Sequence, residues 1–365
     1  MILRLGFAPP TLLMLIVAGL PAQADLIITP TFDPSITTDP NSAAIEGAVN
    51  DAISVFESTY SNPIDVLIYF QEGGGLGESN FEYTPFSYRT FYQDLVSTDA
   101  NADAIAGLTL NGGNSFFNPV NGTRQIDLKP ANARAVGINM DPNCTPTGSS
   151  GSMTCSLATG TSAVDGIISL NTNITYPPNS NDGTTYGLVS VVEHEIDEIL
   201  GLGSSLLNTS ASSGAVTAVA GNPAPEDLFR YGSNGARIFS VDCASATQAF
   251  FSYSGATNLA EFNNACNNGD FGDWRSNPLP TGVSAQVQDA FAISGVQPLY
   301  GPNEIAALSA IGYTLNAPEP STWILLSISL AALVSLRYWR FQRRMTRVSR
   351  SWPRVEIPAV PRKND

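Results

Sequence analysis

The only histidine in 365 residues stands in the run Glu193-His194-Glu195-Ile196-Asp197-Glu198. His194 and Glu198 are four residues apart, so on a helix they project from one face. Imidazole and carboxylate both ligate zinc, and a pair at this spacing forms part of a metal site. The arrangement parallels His-Glu-x-x-His, where the glutamate after the first histidine is general base toward a water that zinc activates. Glu198 here takes the place of the second histidine. That lowers the net charge of the site and makes the activated water less acidic. Glu195 is then the expected base, and at least one more ligand must come from elsewhere. A different cation chemistry is offered by Asp270 and Asp273, which stand among Asn263, Asn264, Asn267 and Asn268 and could form a Ca²⁺ loop. Nucleophilic hydrolysis lacks its parts: there is no Gly-x-Ser-x-Gly and no second histidine.

These residues need a buried helix to hold them. Tyr186 to Leu200 (YGLVSVVEHEIDEIL) predicts one, with Val191, Val192, Ile196, Ile199 and Leu200 as its apolar faces and Gly201 ending it. Upstream, Ile45, Val49, Ile53 and Phe56 recur at helical spacing within 42–59. Ile64 to Phe70 reads as a strand, followed by a turn at Gly73-Gly74-Gly75. Phe86 to Leu95 reads as a helix, residues 96–160 as mostly loop, and Asp165 to Asn171 as a strand. After a Ser-, Ala- and Gly-rich stretch at 208–224, Pro225 to Tyr231 opens a smaller lobe. Ile238 to Val241 and Ala249 to Tyr253 suggest strands, and Pro302 to Ile311 a closing helix. Helices and strands mixed in this order predict an α+β fold, with lobes at 25–207 and 208–316.

The ends of the chain have another character. Arg4, the apolar run Leu12 to Leu20 and Ala22-Gln23-Ala24 predict a cleaved secretory signal at 1–24. Near the other end an apolar stretch predicts a membrane helix at 322–341, and Arg337, Arg340, Arg343, Arg344, Arg347 and Arg350 give it a basic flank facing the cytoplasm. A basic tail follows at 346–365. Between the ends, residues 25–317 carry 29 acidic and 7 basic side chains, a net charge of −22. Such a body repels phosphate backbones, which argues against nucleic-acid binding. Four cysteines in an exported chain predict two disulfides. Three pairings are open, and the local ones, Cys144 with Cys155 and Cys243 with Cys266, close the shortest loops.

Pro318-Glu319-Pro320, followed by an apolar segment and an arginine cluster, resembles the PEP-CTERM sorting signal of exosortase substrates, here spanning 317–345. The resemblance implies a Gram-negative source, an exosortase-type partner, and passage from the membrane to the cell surface or extracellular matrix. The chain departs from it by running on past Arg350. The body resembles a metzincin-like zinc protease. His-Glu-Ile-x-Glu followed by Asp227-Leu228-Phe229-Arg230-Tyr231 is similar to predicted metalloproteases that carry such tails. This implies an exported zinc endopeptidase acting on protein or peptide, with strand 165–171 as the edge that receives an extended substrate. Two departures stand out. Ser204 occupies the position of the usual third ligand, and no methionine lies between Gly201 and Pro318 to form a Met-turn. Asp227 is therefore the expected third ligand, with Glu226 and Asp242 as alternatives, and Tyr231 the expected oxyanion donor. The alternative function is a non-catalytic surface or matrix protein on a degenerate protease scaffold.

Overall fold

A computed structural model describes residues 25–98, 101–108, 117–157, 160, 162–206, 221–241, 247–316 and 331–340. The architecture is α+β, as the mixed element order predicts. A four-stranded sheet holds β1 (Ile27–Phe32), β2 (Asp65–Glu72), β3 (Gly77–Asn80) and β4 (Gly166–Leu170) in the order β1-β2-β4-β3. The first three in that order run parallel, and β3 lies antiparallel to β4.

β4 is Gly-Ile-Ile-Ser-Leu with all five residues buried, the pattern of a strand covered on both faces. β3 is Gly-Glu-Ser-Asn, polar and partly exposed, as suits an edge. One expectation is thereby corrected: strand 165–171 lies inside the sheet, and the edge is 77–80. The glycine turn after β2 does send the chain back, but β4 inserts between β2 and the returning β3.

The helix Ser42–Thr59 matches its apolar spacing and buries Ile45, Val49, Ile53 and Phe56. The site helix, Leu188–Leu200, starts two residues later than predicted. Tyr186 and Gly187 pair instead with Thr175 and Tyr176 as short parallel strands. The site helix packs on the helix 42–59 and on β3 and β4. Its predicted apolar face is buried as expected.

The second half is less regular than the first. The strand expected at 249–253 is Ala249–Phe251, centre of a three-stranded antiparallel sheet with Arg230–Gly232 and Ala260–Phe262. Residues 238–241 form no continuous strand. The helix expected at 86–95 is Tyr88–Ser97, because Phe86 and Ser87 are drawn into pairing with Ile126 and Gln125. The region 96–160 holds more structure than its composition suggested, including the hairpin Cys144–Ser149 and Ser152–Leu157. The Cys144–Cys155 disulfide staples that hairpin, as predicted. Cys266 is also disulfide-bonded, and its expected partner Cys243 lies outside the described residues. A single apolar core joins Phe56 and Phe70 to Ile196, Phe229, Phe251 and Trp274. The described residues up to Asn316 belong to one compact unit, so the two expected lobes share that core.

Residues 1–24 and Pro318-Glu319-Pro320 lie outside the described residues, as does most of 322–341. Residues 331–340 are helical and exposed. Among the described residues, no helix is long and apolar enough to cross a membrane.

The approach of the site helix to the sheet depends on Gly166. A Cβ there would overlap Ile199 Cδ1 and come within 3.0 Å of the Asn80 carbonyl. Gly166→Val should therefore lower stability by about 1–3 kcal/mol through overpacking. Urea unfolding of the variant beside the parent checks this.

Candidate metal centre

The site begins with one turn of buried helix. His194 and Glu198 come to one face, and their facing atoms, Nε2 and Oε1, stand 3.8 Å apart. The third group is Asp273, whose Oδ1 lies 3.9 Å from His194 Nε2. Donor atoms of these three side chains all fall within 4.8 Å of one another. Ligands bound to zinc at about 2.0–2.2 Å lie no more than roughly 4.4 Å apart, so small inward movements would close the triad on one ion. Nitrogen and carboxylate oxygen form a donor set suited to zinc.

The surrounding groups hold each donor in place. His194 Nδ1 is 3.0 Å from the Val287 carbonyl. That contact requires a proton on Nδ1 and turns Nε2 toward the two carboxylates, where it could ligate a metal once its own proton is displaced. Ser79 of edge strand β3 donates to Glu198 Oε2. Gln288 Nε2 donates to Asp273 Oδ1 at 3.0 Å. Such outer hydrogen bonds fix the rotamer and tautomer of metal ligands. Val287 and Gln288 are adjacent, so one short segment orients both the histidine and the aspartate. That segment is itself tied down, since Trp274 N donates to Gln288 O at 2.8 Å and Ala290 N to Trp274 O at 2.9 Å.

Acidic groups crowd together at this site. Burial pushes the Asp273 carboxyl up to about 8, against the pull of His194, while Asp270 and Glu198 add like charge. Glu195 is held well above the usual carboxylate range by burial and by Glu198. Burial works to lower the His194 pKa, but Asp273, Glu195 and Glu198 outweigh it and bring it up to about 10. A divalent ion among these groups would offset the repulsion that protonation otherwise relieves.

Glu195 sits one residue from the ligand face and lines a cleft with His194, Leu76, Gly77 and Val191. Gly77 lets β3 pass directly over it, since a Cβ there would overlap Glu195 Oε1. The opposite wall is the segment 285–298.

Asp227 does not join this cluster, which corrects its expected role as third ligand. Its oxygens are taken by Ser204 Oγ at 2.5 Å, Ser205 N at 3.0 Å and Ala224 N at 2.8 Å. Glu226 does not join the cluster either; its Oε2 accepts from Gly203 N at 2.6 Å, and Asp242 lies outside the described residues. Tyr231 does not line the cleft. Its ring instead carries Arg237, 4.7 Å from the centroid. The Asp-Leu-Phe-Arg-Tyr segment thus acts as a fastener. Its Arg230 donates to Phe271 O and Asn264 Oδ1, both at 2.6 Å, and so anchors the loop that carries Asp273.

Asp273 was legible only as a member of the Asn-rich loop and a candidate Ca²⁺ ligand. Its neighbour Asp270 caps a turn by accepting from Gly272 N at 3.0 Å. The signal that could have separated them is the residue after Asp273. Trp274 is wholly buried, and its large apolar side chain brings that end of the loop, with Asp273, against the core.

The far end of the site helix has its own anchor. Gly201 has φ +133° and its N–H donates to Asp197 O at 3.0 Å. Lys129 is buried, and its ammonium donates to Glu198 O at 2.6 Å and Leu202 O at 2.7 Å. A cation there satisfies terminal carbonyls and complements the helix dipole.

No protein-family model, curated protein or solved structure matches this chain.

The two aspartates should separate cleanly. Asp273→Asn should weaken zinc binding at least tenfold in a chelator competition. Asp227→Asn should leave zinc affinity near that of the parent and cost about 1–3 kcal/mol in urea unfolding, through its lost hydrogen bonds.

Proposed function

We propose that this protein is an exported zinc endopeptidase of metzincin-like type. His194, Glu198 and Asp273 would hold the ion, and Glu195 would be the general base. The observation that carries the reading is the convergence of those three donors beside a buried glutamate that lines a cleft. Zinc in that position would polarise a peptide carbonyl and a water. Glu195 takes the proton of the attacking water and passes it to the leaving nitrogen. Val287 keeps His194 in the ligating tautomer, and Ser79 and Gln288 hold the carboxylates.

The substrate would bind as an extended chain along β3. This strand is the antiparallel edge of the sheet, and it passes over Glu195 and contacts Glu198. Backbone pairing at an edge fixes a peptide in register regardless of sequence. It would lay the scissile bond beside the metal donors. The export reading rests on the sequence of 1–24, and surface routing by an exosortase-type enzyme on 317–345. The Cys144–Cys155 disulfide supports an oxidising destination.

Zinc content and peptide hydrolysis together test the assignment. The purified protein should hold about one zinc per chain at neutral pH, and His194→Ala should lose it. Glu195→Gln should retain the zinc and lose at least a hundredfold in kcat, the scale of general-base catalysis at about 10²–10⁴-fold. Full activity in Glu195→Gln, or no zinc in the parent, overturns the reading.

A further inference from the structure

The cleft is also lined by an acidic group that the proposed chemistry does not use. Asp289 lines the cleft and is only 6% exposed. Its Oδ2 accepts from Gln286 N at 2.9 Å. Its Oδ1 is buried and has no hydrogen-bond partner. An orphaned carboxylate oxygen costs free energy, and native structures leave few without a reason. No Lys or Arg is among the residues lining the cleft.

The rest of the lining is mainly apolar. Leu76 and Val191 stand on the side of β3 and the site helix, and Ile293, Val296 and Pro298 on the other. The space amounts to about 150 Å³. A cavity of about 150 Å³ holds a group the size of benzene, so the space suits one side chain. Apolar walls around one buried carboxylate suit a long aliphatic stem with a cationic tip. His194 and Glu195 line the same cleft, so its occupant belongs to a residue flanking the scissile bond.

We infer that this cleft is a specificity pocket for a lysine or arginine side chain of the substrate, with Asp289 as the residue that recognises its charge. The inference rests on the peptidase reading above. A neutral apolar side chain would match the walls but leave Asp289 Oδ1 unpaired. Sites built to pair a polar group discriminate strongly against ligands that lack it. The net charge of −22 on residues 25–317 draws cationic peptides toward the site in the same sense.

The test uses the zinc-loaded protein and matched peptides. Cleavage sites in a digest of unfolded protein should be enriched for lysine or arginine at one position next to the cut. Replacing that residue by norleucine in a single peptide should lower kcat/KM at least tenfold. In Asp289→Asn, which keeps the shape and an acceptor for Gln286 N, the lysine-to-norleucine ratio should fall toward one. Cleavage without basic enrichment, or an undiminished ratio in Asp289→Asn, overturns the inference and leaves the peptidase reading standing. A protein that binds zinc at no stoichiometry and cuts no peptide overturns both.

Discussion

Glu193, His194, Glu195, Asp197 and Glu198 follow one another along a helix that is buried against a sheet and a second helix. Four carboxylates in a low-dielectric setting repel one another, and one imidazole cannot neutralise them. The fold meets this problem group by group. Asp197 Oδ1 accepts from Tyr300 at 2.8 Å on the side of the core. Burial and Glu304 raise the Glu193 carboxyl to about 8, which favours its neutral form. His194, Glu198 and Asp273 are left facing one another, their donor atoms within 4.8 Å.

The remaining structure serves to bring Asp273 across to the helix and keep it there. Arg230 ties down the loop that carries it, while Asp227 and Glu226 tie down the chain just after the helix. These two regions touch at glycines: a Cβ on Gly272 would overlap the backbone of Gly203. Lys129 closes the helix end from beneath, its ammonium 3.4 Å from the centre of the Phe81 ring. Buried charges used this way need full pairing, because removing one partner strands the other. Asp227, which looks like a candidate ligand in the sequence, is therefore already spent on architecture.

The helices were the most legible part of the fold. At 42–59 and 188–200 the apolar spacing alone marked the buried face, because a helix repeats its pattern within a few residues. The sheet was less legible. That 165–171 is a strand could be read from its apolar run, but its place between β2 and β3 is a non-local pairing. The loops at 96–160 and 260–300 were hardest, since their short strands and turns are set by contacts with distant segments.

The sequence by itself determined the chemistry available: one histidine, a glutamate beside it, and a carboxylate four residues on. Helical spacing puts the histidine and the carboxylate four residues on along one face, with the adjacent glutamate turned off it. The sequence also favoured Cys144 with Cys155 among three open pairings, and there closeness along the chain matches closeness in space. Only the tertiary structure set Asp273 and not Asp227 beside His194 and Glu198, and put 77–80 and not 165–171 at the edge. Both choices depend on which distant backbones meet. Composition does not encode that, and buried hydrogen bonds such as those of Asp227 and Gln288 decide it.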